Sequence, residues 1–186
     1  MKKFGLIVFL LSSFLILFLF ACNSGDQNSD GGTEFDTHGQ AGVVDDVSNK
    51  NILQIAISSP DHTTLVAGVQ AAELENILVN PGPLTVFAPT DAAFAALPEG
   101  TVENLVKPEN KNVLADILKY HVTPGNLSVS ILTKLPKLGQ ANNQYVQIEV
   151  IDGKPVIGGA NIIATVKAGN GVVHVIDKVL LPPTKE

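Results

Sequence analysis

Few side chains in this 186-residue chain could do covalent or metal chemistry: one thiol, Cys22, and four imidazoles, His38, His62, His121 and His174. A lone cysteine forms no internal disulfide and builds no metal site of several thiolates. His121 and His174 are the one histidine pair expected inside a folded core. A metal there would need a third ligand from Asp, Glu or His, oriented by an outer shell, and no spacing in the sequence supplies it. No metal and no cofactor are expected. Nucleophilic catalysis lacks its Gly-x-Ser-x-Gly elbow. Gly158-Gly159 follows a strand-like run without the further glycines or the lysine of a phosphate cradle. The expectation is a protein that is not an enzyme, with a hydrolase as the remote alternative.

Charge narrows the partners. All twelve basic residues are lysine and the net charge is -6; loss of Lys2 and Lys3 with a cleaved leader would bring it to about -8. Without a guanidinium there is no bidentate reader of phosphate or of guanine edges, so nucleic acid is not an expected partner.

The position of Cys22 decides what its thiol is for. Met1 to Lys3 is positively charged and Phe4 to Ala21 is almost wholly apolar, the pattern of an export signal. The alternative is an uncleaved anchor, since about eighteen apolar residues come near the length that spans a bilayer. Leu19-Phe20-Ala21-Cys22 resembles the lipobox of bacterial lipoproteins. That resemblance implies a signal peptide over residues 1–21 and acyl chains such as palmitate on Cys22, whose thiolate accepts the diacylglyceryl group. Two or three chains hold firmly, because each buried methylene contributes about 0.8 kcal/mol. Asn23 stands where Asp often marks inner-membrane retention, which points to an outer-membrane location. Residues 22–43 are rich in Gly, Ser, Asn and Asp and read as a flexible tether. Its acids, Asp26, Asp30, Glu34 and Asp36, lack the spacing of a calcium loop.

The domain is expected over residues 44–186. Apolar residues recur at helical spacing through Ile52, Ile55 and Ala56, then Leu65, Val66 and Val69, then Leu74, Ile77 and Leu78. Pro60 separates the first two groups, and Asp61 is placed to cap the second. Leu84 to Ala88 reads as a short strand, Thr90-Asp91 as the start of a helix through Leu97, and Lys111 to Tyr120 as another helix. Beyond Gln144 the period becomes two. Asp152-Gly153 and Asn170-Gly171 mark turns between strands, and Val179 to Leu181 is a candidate last strand. Helices first and antiparallel strands last indicate an α+β fold.

Three segments resemble the fasciclin domain family: Gly82 to Leu97, reading GPLTVFAPTDAAFAAL; Leu118 to Gly125, reading LKYHVTPG; and Asn170 to Pro182, reading NGVVHVIDKVLLP. With the helical stretch from about Val47, the likeness runs to Pro183. It implies a wedge-like β-sandwich braced by helices and a role in adhesion or attachment to matrix, polysaccharide or cell-surface protein. It does not imply an enzyme. The alternative is an envelope binder of a lipid or glycan, seated in an apolar groove between helices and sheets.

The motif residues carry two readings. Thr90 and Asp91 can cap a helix or face a partner. Tyr120-His121 matches the family's Tyr-His pair, a segment linked there to adhesion, yet an imidazole at such a corner also bonds readily to backbone. His174, on one strand face with Val172 and Ile176, is expected as a satisfied, partly buried ring. Asp177 belongs to the same motif.

Overall fold

The computed structural model describes residues 49–183. Cys22, the signal and the tether lie outside the described residues, as does the expected domain start at residue 44.

Three helices come first: α1 (Ile52–Ile57), α2 (Thr63–Ala71) and α3 (Glu75–Val79). Asn51 starts α1 with a reciprocal box, its Oδ1 accepting from the Gln54 amide at 2.8 Å while the Asn51 amide donates to Gln54 Oε1 at 2.9 Å. Such a pair satisfies two of the four N–H groups a helix start leaves unbonded. Strand β1 (Leu84–Pro89) leads to α4 (Asp91–Ala95), α5 (Thr101–Leu105), a 3-10 turn at Pro108–Asn110, and α6 (Lys111–Tyr120). Then come β2 (Val122–Pro124), α7 (Val129–Leu132), β3 (Lys137–Gly139), β4 (Tyr145–Ile151), β5 (Lys154–Ile157), β6 (Ala160–Ala168) and β7 (Gly171–Ile176). At the β4–β5 turn Asp152 and Gly153 both take positive φ, 51° and 74°, the backbone of a type I′ hairpin.

The strands follow the order β2-β1-β7-β6-β5-β4-β3. Among the described strands only β1 and β7 pair in parallel, with Leu84 opposite Gly171 and Phe87 opposite His174. β6 belongs to both halves of the sheet. Its first residues pair with β5 and the rest with β7, with a bulge between Ile162 and Ala164, the device that lets a strand bend from one layer into another. The ends of the order also meet, because Thr123 Oγ1 donates to Gly139 O at 2.7 Å and the Ala141 amide to Val122 O at 2.7 Å.

This layout makes two cores. Val86, Ala88 and Val173 face the helices and join Ile52, Leu53, Leu65, Val69, Leu114 and Leu118. Phe87 and Ile176 face the other way and meet Leu132, Val146, Ile148 and Ile157 from the second half of the sheet. Residues alternate sides along a strand, so β1 and β7 are apolar on both faces. Phe87 and Ile176 are fully buried, each contributing about 1.5–3 kcal/mol. The expected α+β, fasciclin-like fold is the one observed, with the helices mostly N-terminal.

Three local expectations need correction. Val179–Leu181 forms no strand: Leu180 turns inward into the second core, and its amide goes to a side chain rather than to a neighbouring strand. Asp61 does not cap α2 with its side chain. The helix begun at Asp91 ends at Ala95, short of Leu97. The sequence pattern also left out β2, β3, α5 and α7, each too short to show a period.

Candidate functional site

Thr90 and Asp91 sit side by side but serve different helices. Thr90 Oγ1 accepts from the Ala93 amide at 3.2 Å and caps α4. The Asp91 carboxylate reaches to α2: Oδ1 accepts from the Thr64 amide at 2.8 Å, and Oδ2 from the Thr63 hydroxyl at 2.6 Å and amide at 3.2 Å. Asp91 thus does what Asp61 was expected to do, while the Asp61 carbonyl accepts from the Asp91 amide at 2.8 Å. Burial raises the Asp91 pKa, but the bonds from Thr63 and Thr64 outweigh it and hold the carboxyl below its ordinary value. A carboxylate that accepts several N–H and O–H bonds is stabilised in its charged form.

Tyr120 and His121 end α6, and both point inward, 5% and 3% exposed. Tyr120 Oη donates to Tyr145 O at 3.1 Å, and burial raises its pKa. The Leu180 amide donates to His121 Nε2 at 2.9 Å, so Nε2 is the unprotonated nitrogen and Nδ1–H donates to Ile117 O at 2.8 Å. Burial drives its pKa down to about 4, against a smaller opposite pull from the Ile117 carbonyl.

His174 is the other tautomer. Leu127 O can only accept, at 2.8 Å from Nε2, so Nε2 carries the proton and Nδ1 accepts from Thr165 Oγ1 at 2.9 Å. Its ring stacks on Phe87 with centroids 5.7 Å apart. Burial lowers its pKa, with the Leu127 carbonyl opposing. With all four ring nitrogens of His121 and His174 engaged, neither imidazole has a lone pair left for a metal or a proton transfer.

Asp177 clamps Asn161, Oδ1 accepting from its amide and Oδ2 from its side-chain amide, both at 2.7 Å. The structure therefore scatters the motif residues along the fold, each bonded internally, instead of gathering them into one cleft.

Asn170 is the residue that motif spacing marked only as a turn. Its Oδ1 accepts from the Ile52 amide at 3.0 Å and its Nδ2 donates to Leu78 O at 2.7 Å, joining the start of α1 to the end of α3. Gly171 beside it lets β1 approach: a Cβ there would lie 1.9 Å from Leu84 O. The Asn-Gly pair was the only signal, and nothing local in it names partners about a hundred residues away.

The space between helices and sheet, lined by Leu65, Leu74, Leu78, Val86 and Leu118, amounts to about 30 Å³. Ligand pockets run to roughly 300–1,000 Å³. Core packing therefore closes this part of the helix–sheet interface to a lipid or glycan.

Residues 60–182 match the family model described as the fasciclin domain. Protein sll1483 of Synechocystis is 43% identical over 154 residues, which cover 81% of this chain and 85% of that protein. Immunogenic protein MPB70 of Mycobacterium bovis is 33% identical, covering 75% of this chain and 73% of its own length. Transforming growth factor-beta-induced protein ig-h3 of Sus scrofa is 39% identical over 127 residues, 66% of this chain and 18% of that longer protein. Among solved structures, a FAS1 domain pair from the insect cell adhesion molecule Fasciclin I superposes with a TM-score of 0.64 at 20% identity, covering 73% of this chain and 52% of that one. With the match spanning β1, the Tyr120-His121 corner and β7, the chain belongs to the fasciclin domain family.

Proposed function

We propose that this protein is a lipid-anchored fasciclin domain of the bacterial cell envelope that mediates attachment to an extracellular partner, a matrix, a polysaccharide or a cell-surface protein, through its exposed surface. The observation that carries the reading is the internal use of the motif side chains. Tyr120, His121 and His174 are buried and bonded, and Asp91 and Asp177 hold backbone. Such residues maintain a shape and offer no nucleophile with a poised base, which supports a binding module over an enzyme. Fasciclin I, whose domain pair shares the fold, is a cell adhesion molecule.

Cys22 would carry the anchor, with residues 1–21 removed and residues 22–43 lifting the domain from the outer membrane. Display at high density would supply the multivalency that makes weak contacts hold. Beads coated with the purified domain, together with a gene deletion, test the attachment role: attachment to cells, matrix or polysaccharide should rise with coating and fall on deletion. No change in either assay rejects it. Protease shaving of intact cells tests the surface location, and Cys22→Ala tests the anchor. The variant should be released to the medium and lose attachment; a released variant that attaches as well as the parent shows that anchoring is incidental.

A further inference from the structure

A cleft of about 380 Å³ lies on the helix side of the sheet, at the corner between α1 and α2. Ala164 and Val166 of β6 with Val173 and Val175 of β7 form its floor, and Ile55 and Ala56 of α1 its wall. Helix α1 covers β7 but leaves the edge of β6 bare, so Ile163 and Val166 stay 60% and 39% exposed. Ser59, Asp61, His62 and Thr90 make one polar end.

His62 is the unusual member. It is only 6% exposed, Ser59 Oγ holds its Nδ1 at 2.7 Å, and the ring-tip Nε2 is buried with no hydrogen-bond partner among the described residues. A buried polar atom left unbonded is costly and uncommon in folded proteins.

We propose that this cleft binds an uncharged, mainly aliphatic small molecule whose single hydroxyl bonds to His62 Nε2. The volume falls in the range of ligand pockets and holds about a dozen heavy atoms at the roughly 30 Å³ that a water molecule takes. The floor and wall are aliphatic. Among the described residues no lysine lines the cleft and Asp61 does, so a carboxylate or phosphate head would meet repulsion without a counter-charge. No tyrosine or phenylalanine lines it either, which leaves a sugar ring nothing to stack on. A hydroxyl both donates and accepts, so it serves whichever tautomer the Ser59 bond selects. Because Nε2 is closed to solvent, binding requires the ring to turn toward the cleft, and its magnetic resonance signals report that movement.

The test uses residues 22–186 carrying Cys22→Ser, which keeps every residue of both cores, titrated with 1-decanol or with decanoate. Decanol should raise Tm in a concentration-dependent way and shift the His62 imidazole signals. Decanoate should bind at least about tenfold more weakly, a difference of about 1.4 kcal/mol. Ala164→Phe, on the exposed edge of the floor, should abolish the decanol-dependent rise in Tm and the His62 shift. The proposal is overturned if decanol moves neither Tm nor the His62 signals, if decanoate acts equally, or if Ala164→Phe responds like the parent.

Discussion

The Leu180 amide donates to His121 Nε2 at 2.9 Å across 59 residues of chain, tying the segment after the last strand to the end of α6. The bond exists only while that nitrogen is unprotonated, which makes the domain's stability depend on pH in a stated direction.

The folded His121 pKa is about 4 and the ordinary value is 6.5. Between these values the unfolded chain binds a proton that the folded chain refuses, so stability is full above about pH 6.5 and falls as pH drops toward 4. The loss from this residue is on the order of 3 kcal/mol. The lowered pKa of His174 adds to the fall with the same sign. Urea denaturation at steps from pH 7 to pH 4 should show the midpoint dropping throughout, with the His121 ring signals unchanged in the folded state down to about pH 5. A flat midpoint over that interval contradicts the buried neutral rings.

Tyr120→Phe separates architecture from recognition. The hydroxyl bond to Tyr145 O should be worth about 1 kcal/mol, read as a lower denaturation midpoint. Attachment measured well below that midpoint should equal the parent's. Lost attachment with unchanged stability would instead place the hydroxyl at the contact with a partner.

Asp91→Ala removes three acceptor contacts from the start of α2 and should cost about 1–2 kcal/mol. Because its folded pKa lies below the ordinary 3.8, the contribution is present above pH 3.8 and disappears as pH falls further. Hydrogen exchange should show the loosening at Thr63 and Thr64, ahead of α4, the helix that Asp91 itself begins. Faster exchange at α4 alone would show that the Asp91 carboxylate holds α4 and not α2.

Gly171→Ala drives a Cβ to 1.9 Å from Leu84 O, so β1 and β7 must separate. A loss of at least about 3 kcal/mol, or failure to fold, is expected. Gly82→Ala, with nothing within 4 Å of its Cβ, is the control and should change stability by less than about 0.5 kcal/mol. Equal midpoints for the two variants would refute the close parallel approach.

Spacing and turn residues in the sequence were enough to determine local structure, namely the helices from Ile52 to Leu78, the strand at Leu84 and the Asp152-Gly153 hairpin, and the resemblance of three segments in order pointed to the family. Those features depend on neighbours a few residues apart, which is the range over which backbone preference and amphipathic pattern act. The tertiary structure alone decided which partner each motif residue takes. Asp91 caps α2 instead of α4, Asn170 joins α1 to α3, and Leu180 gives its amide to His121 in place of a strand. Each of these bonds spans 27 to 118 residues, and a side chain's type limits the kind of bond it can make, while only the folded backbone brings a particular donor within 3 Å.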